Sequence, residues 1–93
     1  MATVIKRNKH RQKFSQQKLS RSIERAAREA GVSKNERKVF AREISAGIAK
    51  IVHKKRSVRS TQIRRMALRR LESRSKASVG AWQRHDRKHK KIR

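Results

Sequence analysis

The chain has 93 residues, and its 30 Lys and Arg against six Asp and Glu give a net charge of +24. With 33% hydrophobic residues, a chain of this length fits one small domain with a modest core. So many like charges repel one another and favour a polyanionic partner, which makes nucleic acid the first class to consider. The chain has no cysteine, which excludes disulfide bonds and thiolate metal sites.

Membrane association is disfavoured by the distribution of apolar residues. No apolar run approaches the roughly 20 residues that a membrane span needs, and the N-terminal segment lacks the hydrophobic region of a signal peptide. A helix lying on a membrane would need a broad face of Trp, Phe and Leu, whereas the chain has one Trp and two Phe. We therefore expect a soluble, intracellular protein of the cytoplasm with no membrane partner.

The N-terminal segment predicts a small β-hairpin. Val4 and Ile5 begin a β-prone run, and a second run lies between His10 and Phe14. Asn8 tolerates the backbone conformation of a tight turn between them.

Two helices are predicted next from apolar residues spaced three and four apart. The first begins after an N-cap at Ser15 and ends at Gly31. Its inward face comprises Leu19, Ile23, Ala26, Ala27 and Ala30. The second follows a capping box of Ser33 and Glu36 and ends near His53. Its inward stripe comprises Val39, Phe40, Ile44, Ile48, Ile51 and Val52.

The remaining sequence predicts two shorter helices. The third has its cap at Ser60, and its inward residues are Ile63, Met66, Ala67 and Leu71. The fourth runs from Ser75 or Ser78 to the late eighties, with Val79, Ala81, Trp82 and His85 facing inward. The predicted fold class is mainly α, a short N-terminal β-hairpin followed by a four-helix bundle. We expect one domain over residues 1–86 and a basic C-terminal extension over residues 87–93.

Several short segments, in this order, resemble one known family. They are Val4-Ile5-Lys6-Arg7-Asn8 with Phe14, Lys18-Leu19, the Ile48 to Val52 segment, Val58-Arg59-Ser60-Thr61-Gln62-Ile63, and Ala81-Trp82 with His85 and His89. Together they resemble the ATP-cone, the regulatory nucleotide-binding module found at the N-terminus of ribonucleotide reductases and in the repressor of their genes. The resemblance spans nearly the whole chain and implies an ATP-cone-like bundle.

The resemblance also implies a nucleotide, ATP or dATP, held between the hairpin and the helices. The positions that match the family's binding pattern are Val4, Lys6, Arg7, Gln12, Ser15, Lys18, Ser60 and Arg64. Three nearby positions depart from it: Lys9 stands where the family has Gly, Gln12 where it has an acidic residue, and Lys13 where it has Pro. These departures favour the phosphate-binding half of the site over the half that recognises the base. No other cofactor is expected.

The acidic residues and histidines do not predict an enzyme. The six carboxylates all have basic neighbours, so we expect surface ion pairs rather than an acid–base pair in a pocket. They are Glu24, Glu29, Glu36, Glu43, Glu72 and Asp86. His85 and His89 have the spacing of two metal ligands on a helix, but no Cys or pair of carboxylates completes a site. We predict no catalytic residue and no metal.

The basic residues predict contacts with nucleic-acid phosphates. With aromatic residues at 3%, single-strand binding by base stacking is disfavoured, so we expect recognition of the backbone and of duplex shape. The candidate contact residues are Lys6, Arg7, Lys9, Arg11, Lys13, Lys54, Lys55, Arg56, Arg59, Arg64, Arg65, Arg69, Arg70, Arg87, Lys88, Lys90, Lys91 and Arg93.

The spread of these residues over several predicted elements favours a partner that surrounds the protein. A single straight duplex needs one basic face, whereas folded RNA presents phosphates on many sides. The sequence therefore predicts a structural ribosomal protein that binds ribosomal RNA in a ribonucleoprotein and is associated with the ribosome. The alternatives are an architectural, chromatin-like DNA-binding protein of the nucleoid and a regulatory ATP-cone that binds ATP or dATP.

Overall fold

The computed structural model describes residues 3–6 and 11–90, with side chains described up to Arg87. Over these residues the chain forms three short strands and four helices. The strands are β1 (Thr3–Ile5), β2 (Arg11–Lys13) and β3 (Ser57–Arg59), and the helices are α1 (Gln16–Glu29), α2 (Lys34–Val52), α3 (Ser60–Glu72) and α4 (Lys76–Lys90). The predicted mainly α class, with an N-terminal hairpin followed by four helices, is confirmed.

The three strands form one sheet in the order β2-β1-β3. Strand β1 runs antiparallel to β2, with Val4 opposite Gln12, and parallel to β3, with Val4 opposite Val58. The hairpin strands therefore lie where the sequence predicts them, while the turn expected at Asn8 falls outside the described residues. The third strand was missed, because three residues are too few to show a periodicity and their partner is some 50 positions away along the chain.

Helices α1 and α2 begin at the predicted hydroxyl caps. The Ser15 Oγ accepts a hydrogen bond from the Lys18 backbone N–H at 3.2 Å, and the Ser33 Oγ accepts one from the Glu36 N–H at 3.3 Å. These contacts satisfy donors that the first helical turn leaves without intrahelical partners. At α3 the cap is Arg59 rather than Ser60, because Ser60 is already helical.

The end of α1 is fixed by a glycine. Gly31 adopts φ 85°, a left-handed conformation that glycine reaches without the steric cost of a Cβ atom. The Val32 N–H then donates to the Ala27 carbonyl at 2.9 Å. This turn places the start of α2 against the end of α1.

One hydrophobic core joins all four helices to strands β1 and β3. It is formed by Val4, Leu19, Ile23, Ala26, Ala41, Ile44, Ile48, Val52, Val58, Ile63, Ala67, Leu71 and Ala81. Helix α2 packs against both α1 and α3, and α1 also packs against α4. The predicted inward faces of α1 and α3 are confirmed at their buried residues, and Trp82 is half-buried against the core.

The predicted inward stripe of α2 is partly wrong. Val39 is 49% exposed, while Phe40 and Ile51 are half-buried. The buried face instead comprises Ala41, Ile44, Ser45, Ile48, Ala49 and Val52. These positions follow a helical spacing of three and four, and Val39 lies about 200° around the helix from Ala41.

Ion pairs hold several helices together at the surface. Arg64 of α3 pairs with Asp86 of α4, and Arg74 after α3 pairs with Glu43 of α2. The Arg74 guanidinium also lies 5.9 Å from the ring centroid of Phe40, a cation–π contact. Half of the six carboxylates thus take the expected ion-paired role, since Glu24 pairs with Arg37 as well.

The expected domain boundary lies near the C-terminal end of the described chain. Helix α4 continues to Lys90, so the expected domain boundary at residue 86 falls inside a helix and stays a prediction. Among residues 3–6 and 11–90, none of the helices has both the length and the hydropathy that crossing a membrane requires.

Candidate functional site

A cavity of about 160 Å³ lies between the β1–β2 strand pair and the N-terminal turns of α1 and α3. The elements that bound it are brought together by the sheet, since β3 leads directly into α3 while β2 leads into α1. Its lining comprises Val4, Gln12, Lys13, Phe14, Ser15, Lys18, Leu19, Ser22, Ser60 and Ile63.

One wall of the cavity is apolar and belongs to the core. Val4, Leu19 and Ile63 are 6–8% exposed, so their positions are fixed by packing. Phe14 is half-buried, and its ring meets the His53 ring edge-on with 6.2 Å between the centroids. A flat apolar group can therefore lie against this wall without displacing the core.

The other side of the cavity is electropositive. The N-terminal turns of α1 and α3 both border it, and a helix N-terminus carries unpaired N–H groups and a partial positive charge. The ammonium groups of Lys13 and Lys18 add full charges. No acidic residue is among the described side chains that line the cavity. The arrangement suits an anion, and phosphate in particular.

The structure brings together most of the positions implied by the resemblance. Of those eight positions, the residues that line the cavity are Val4, Gln12, Ser15, Lys18 and Ser60. Lys6 is exposed just after β1, Arg64 is paired with Asp86 on α4, and Arg7 lies outside the described residues. That these eight positions bind a nucleotide stays a prediction.

Sequence reasoning did not assign five of the lining residues to the nucleotide pattern. They are Lys13, Phe14, Leu19, Ser22 and Ile63. Leu19 and Ile63 were interpreted as core residues, which they are, because the wall of the cavity is also an edge of the core. Phe14 could have been assigned to the cavity from the sequence, because it stands in the hairpin segment that resembles the family.

Gln12 occupies the position where the resemblance implies an acidic residue. It is exposed on β2 and lines the cavity. A carboxamide offers an acceptor oxygen as well as N–H donors. Gln12 can therefore accept a hydrogen bond from an exocyclic amine, without the charge of a carboxylate.

The basic residues predicted to bind nucleic acid lie on several elements where the structure describes them. Lys6, Arg11 and Lys13 are exposed beside the hairpin, and Lys54, Lys55, Arg56 and Arg59 are exposed around β3. On α3, Arg65 and Arg69 are exposed, whereas Arg64 is half-buried against Asp86. The Arg70 guanidinium lies over Gly47 of α2, with its Nη1 2.7 Å from the place a Cβ would occupy.

The rest of that predicted set lies toward the chain ends. Arg87 is exposed on α4, while nothing is described for Arg7, Lys9, Lys91, Arg93 or the side chains of Lys88 and Lys90. The nucleic-acid contacts of the whole set stay a prediction.

His85 is half-buried, and the His89 side chain lies outside the described part. Within that part, no group of three or more His, Cys, Asp or Glu residues could hold a metal ion.

Comparison with known proteins gives one family. The model of the ATP cone domain matches residues 2–91 of the chain. No curated protein matches it.

This match overturns the principal functional prediction. An ATP cone is a nucleotide-binding regulatory module, so the prediction of a structural ribosomal protein that binds ribosomal RNA is wrong. The RNA-binding and ribosomal-protein assignments are wrong for the same reason. The error came from the charge, because an excess of Lys and Arg attracts the phosphates of a nucleotide as well as those of RNA and does not depend on the fold.

Proposed function

Because the chain belongs to the ATP-cone family, we propose that it binds ATP or dATP in the cavity between the β1–β2 strand pair and helices α1 and α3. In this proposal the bound nucleotide controls the activity of a partner, and the chain itself is a regulatory module without a catalytic role. The cytoplasm is the proposed location. The alternative of an architectural DNA-binding protein stays a prediction, which the family match does not test.

The size of the cavity indicates which part of the nucleotide it holds. A volume of about 160 Å³ is below the ~300–1,000 Å³ typical of small-molecule pockets. The flat base therefore fits against Val4, Phe14 and Ile63, while the phosphates extend beyond the cavity along its electropositive side. Lys13 and Lys18 lie on that side with the first turn of α1.

The observation that carries the proposal is that the N-termini of two helices border one cavity, which has an apolar wall and which no described acidic residue lines. A helix N-terminus binds phosphate through its unpaired N–H groups and its dipole. The hairpin and the core supply the apolar surface for a base. Neither half alone would distinguish a nucleotide from a free phosphate or an apolar ligand.

The experiment is calorimetric titration of the protein with ATP, dATP, GTP and inorganic tripolyphosphate at physiological ionic strength. We expect saturable binding of ATP or dATP to one site, and weaker binding of tripolyphosphate, because it has the phosphates without the base. Tripolyphosphate that bound as tightly as both adenine nucleotides would contradict the proposal. Attraction between phosphate and the net charge would then account for all of the binding.

A further inference from the structure

A second cavity, of about 320 Å³, lies beside the C-terminal half of α1 and the start of α2. Its lining comprises Arg21, Ser22, Glu24, Arg25, Arg28 and Arg37. Among the described lining residues, Ser22 alone also lines the nucleotide cavity. The described residues that line it are all polar or charged, and four of the six are arginines.

Three of the arginines share one face of α1. Arg21, Arg25 and Arg28 are spaced four and three apart, which places them one above another along the helix, and all three are exposed. Because the three guanidinium groups carry like charges, this spacing is destabilising. An anion held among them would remove that repulsion.

The fourth arginine carries the more specific signal. The Arg37 side chain is 21% exposed, and its Nε lies 3.7 Å from Glu24 Oε1, an ion pair too long for a hydrogen bond. The Arg37 Nε is buried and has no hydrogen-bond partner, while its Nη1 donates to the Val32 carbonyl at 3.5 Å. A buried N–H without an acceptor is unfavourable and rare in native proteins.

We propose that Arg21, Arg25, Arg28 and Arg37 form a binding site for a compact, multiply charged phosphate of the pyrophosphate class. Guanidinium groups match phosphate oxygens through forked pairs of N–H donors, so oxygens of the ligand would accept from the exposed guanidinium groups of Arg21, Arg25 and Arg28, beside the partly buried Arg37. The four arginines outweigh the single carboxylate of Glu24 in the lining. The volume is at the lower end of small-molecule pockets, which suits a small anion.

The test is an NMR titration of the intact chain with pyrophosphate, following the arginine side-chain Nε–H signals. We expect the Arg37 signal to shift and saturate, because a bound anion changes the charge around the Arg37 guanidinium, which lines the same cavity. The double variant R25Q/R28Q is expected to weaken this binding by about tenfold or more, since it removes two charge-assisted contacts. Both of its positions are exposed, so the fold is expected to persist.

The matched control is R65Q/R69Q on α3, which removes the same charge from two exposed positions outside the cavity. We expect it to leave pyrophosphate affinity at the Arg37 signal unchanged. An unshifted Arg37 signal at saturation, or equal weakening in both double variants, would overturn the proposal. So would an equal response to succinate, a dicarboxylate. Failure of ATP to bind its own cavity would leave the Arg37 signal unaffected, so the two proposals are tested separately.

Discussion

Replacement of Lys18 by Ala is expected to weaken ATP or dATP binding by about tenfold to a hundredfold. Lys18 lies in the first turn of α1 and lines the nucleotide cavity. A hydrogen bond to a charged group contributes about 1.5–3 kcal/mol, which corresponds to that change in affinity. The measurement is calorimetric titration of the variant and of the parent protein with the same nucleotide.

Lys34→Ala is the matched control for this result. Lys34 is an exposed lysine in the first turn of α2, and it is not among the residues lining the nucleotide cavity. Its loss changes the net charge by the same amount, so we expect little change in affinity. If both variants lost affinity equally, the effect of Lys18 would come from net charge, and its proposed contact with the phosphates would be wrong.

Replacement of Ile48 by Ala is expected to lower the free energy of unfolding by about 2–5 kcal/mol. Ile48 is 0% exposed and lies on the face of α2 that packs into the core. Truncation removes buried apolar surface and leaves a cavity that the neighbouring helices only partly fill. Because small domains are stable by only about 5–15 kcal/mol, this is a large share of the total. Urea unfolding followed by circular dichroism measures it.

The comparison variant on the same helix is Val39→Ala. Val39 is 49% exposed, so we expect a loss within about 0.5 kcal/mol, the range of most surface substitutions. A loss from Val39→Ala as large as that from Ile48→Ala would show that the face of α2 described as buried is not the one in the core.

Local sequence patterns predicted the helices, and contacts distant in sequence explain what they missed. The caps at Ser15 and Ser33 need only residues within one turn, and both are confirmed. The orientation of α2 depends on where α1 and α3 pack against it, so Val39 was placed on the wrong face. Strand β3 forms because it pairs with β1. Its own three residues show no pattern that predicts a strand.

The residues of the two candidate sites also differ in whether the sequence alone could identify them. Lys18 and Ser60 were found through short family-like segments, although no helical periodicity marks them. The cluster around Arg37 was not found at all, because the turn at Gly31 and the packing of α2 on α1 bring Arg37 to the same cavity as Arg25 and Arg28. The excess of Lys and Arg predicted a ligand that carries phosphate groups. It could not distinguish a nucleotide from RNA, because both carry them.

We expect an adenine nucleotide to bind between the hairpin and the N-termini of α1 and α3. A ¹H–¹⁵N NMR titration of the intact protein with ATP and with dATP tests it most directly. We expect the largest backbone amide shifts at Val4, Ser15, Ser60 and Ile63, which surround the cavity, and little change at the exposed residues Arg65 and Arg69. Shifts spread evenly over the basic surface, with none concentrated at the cavity, would contradict the account.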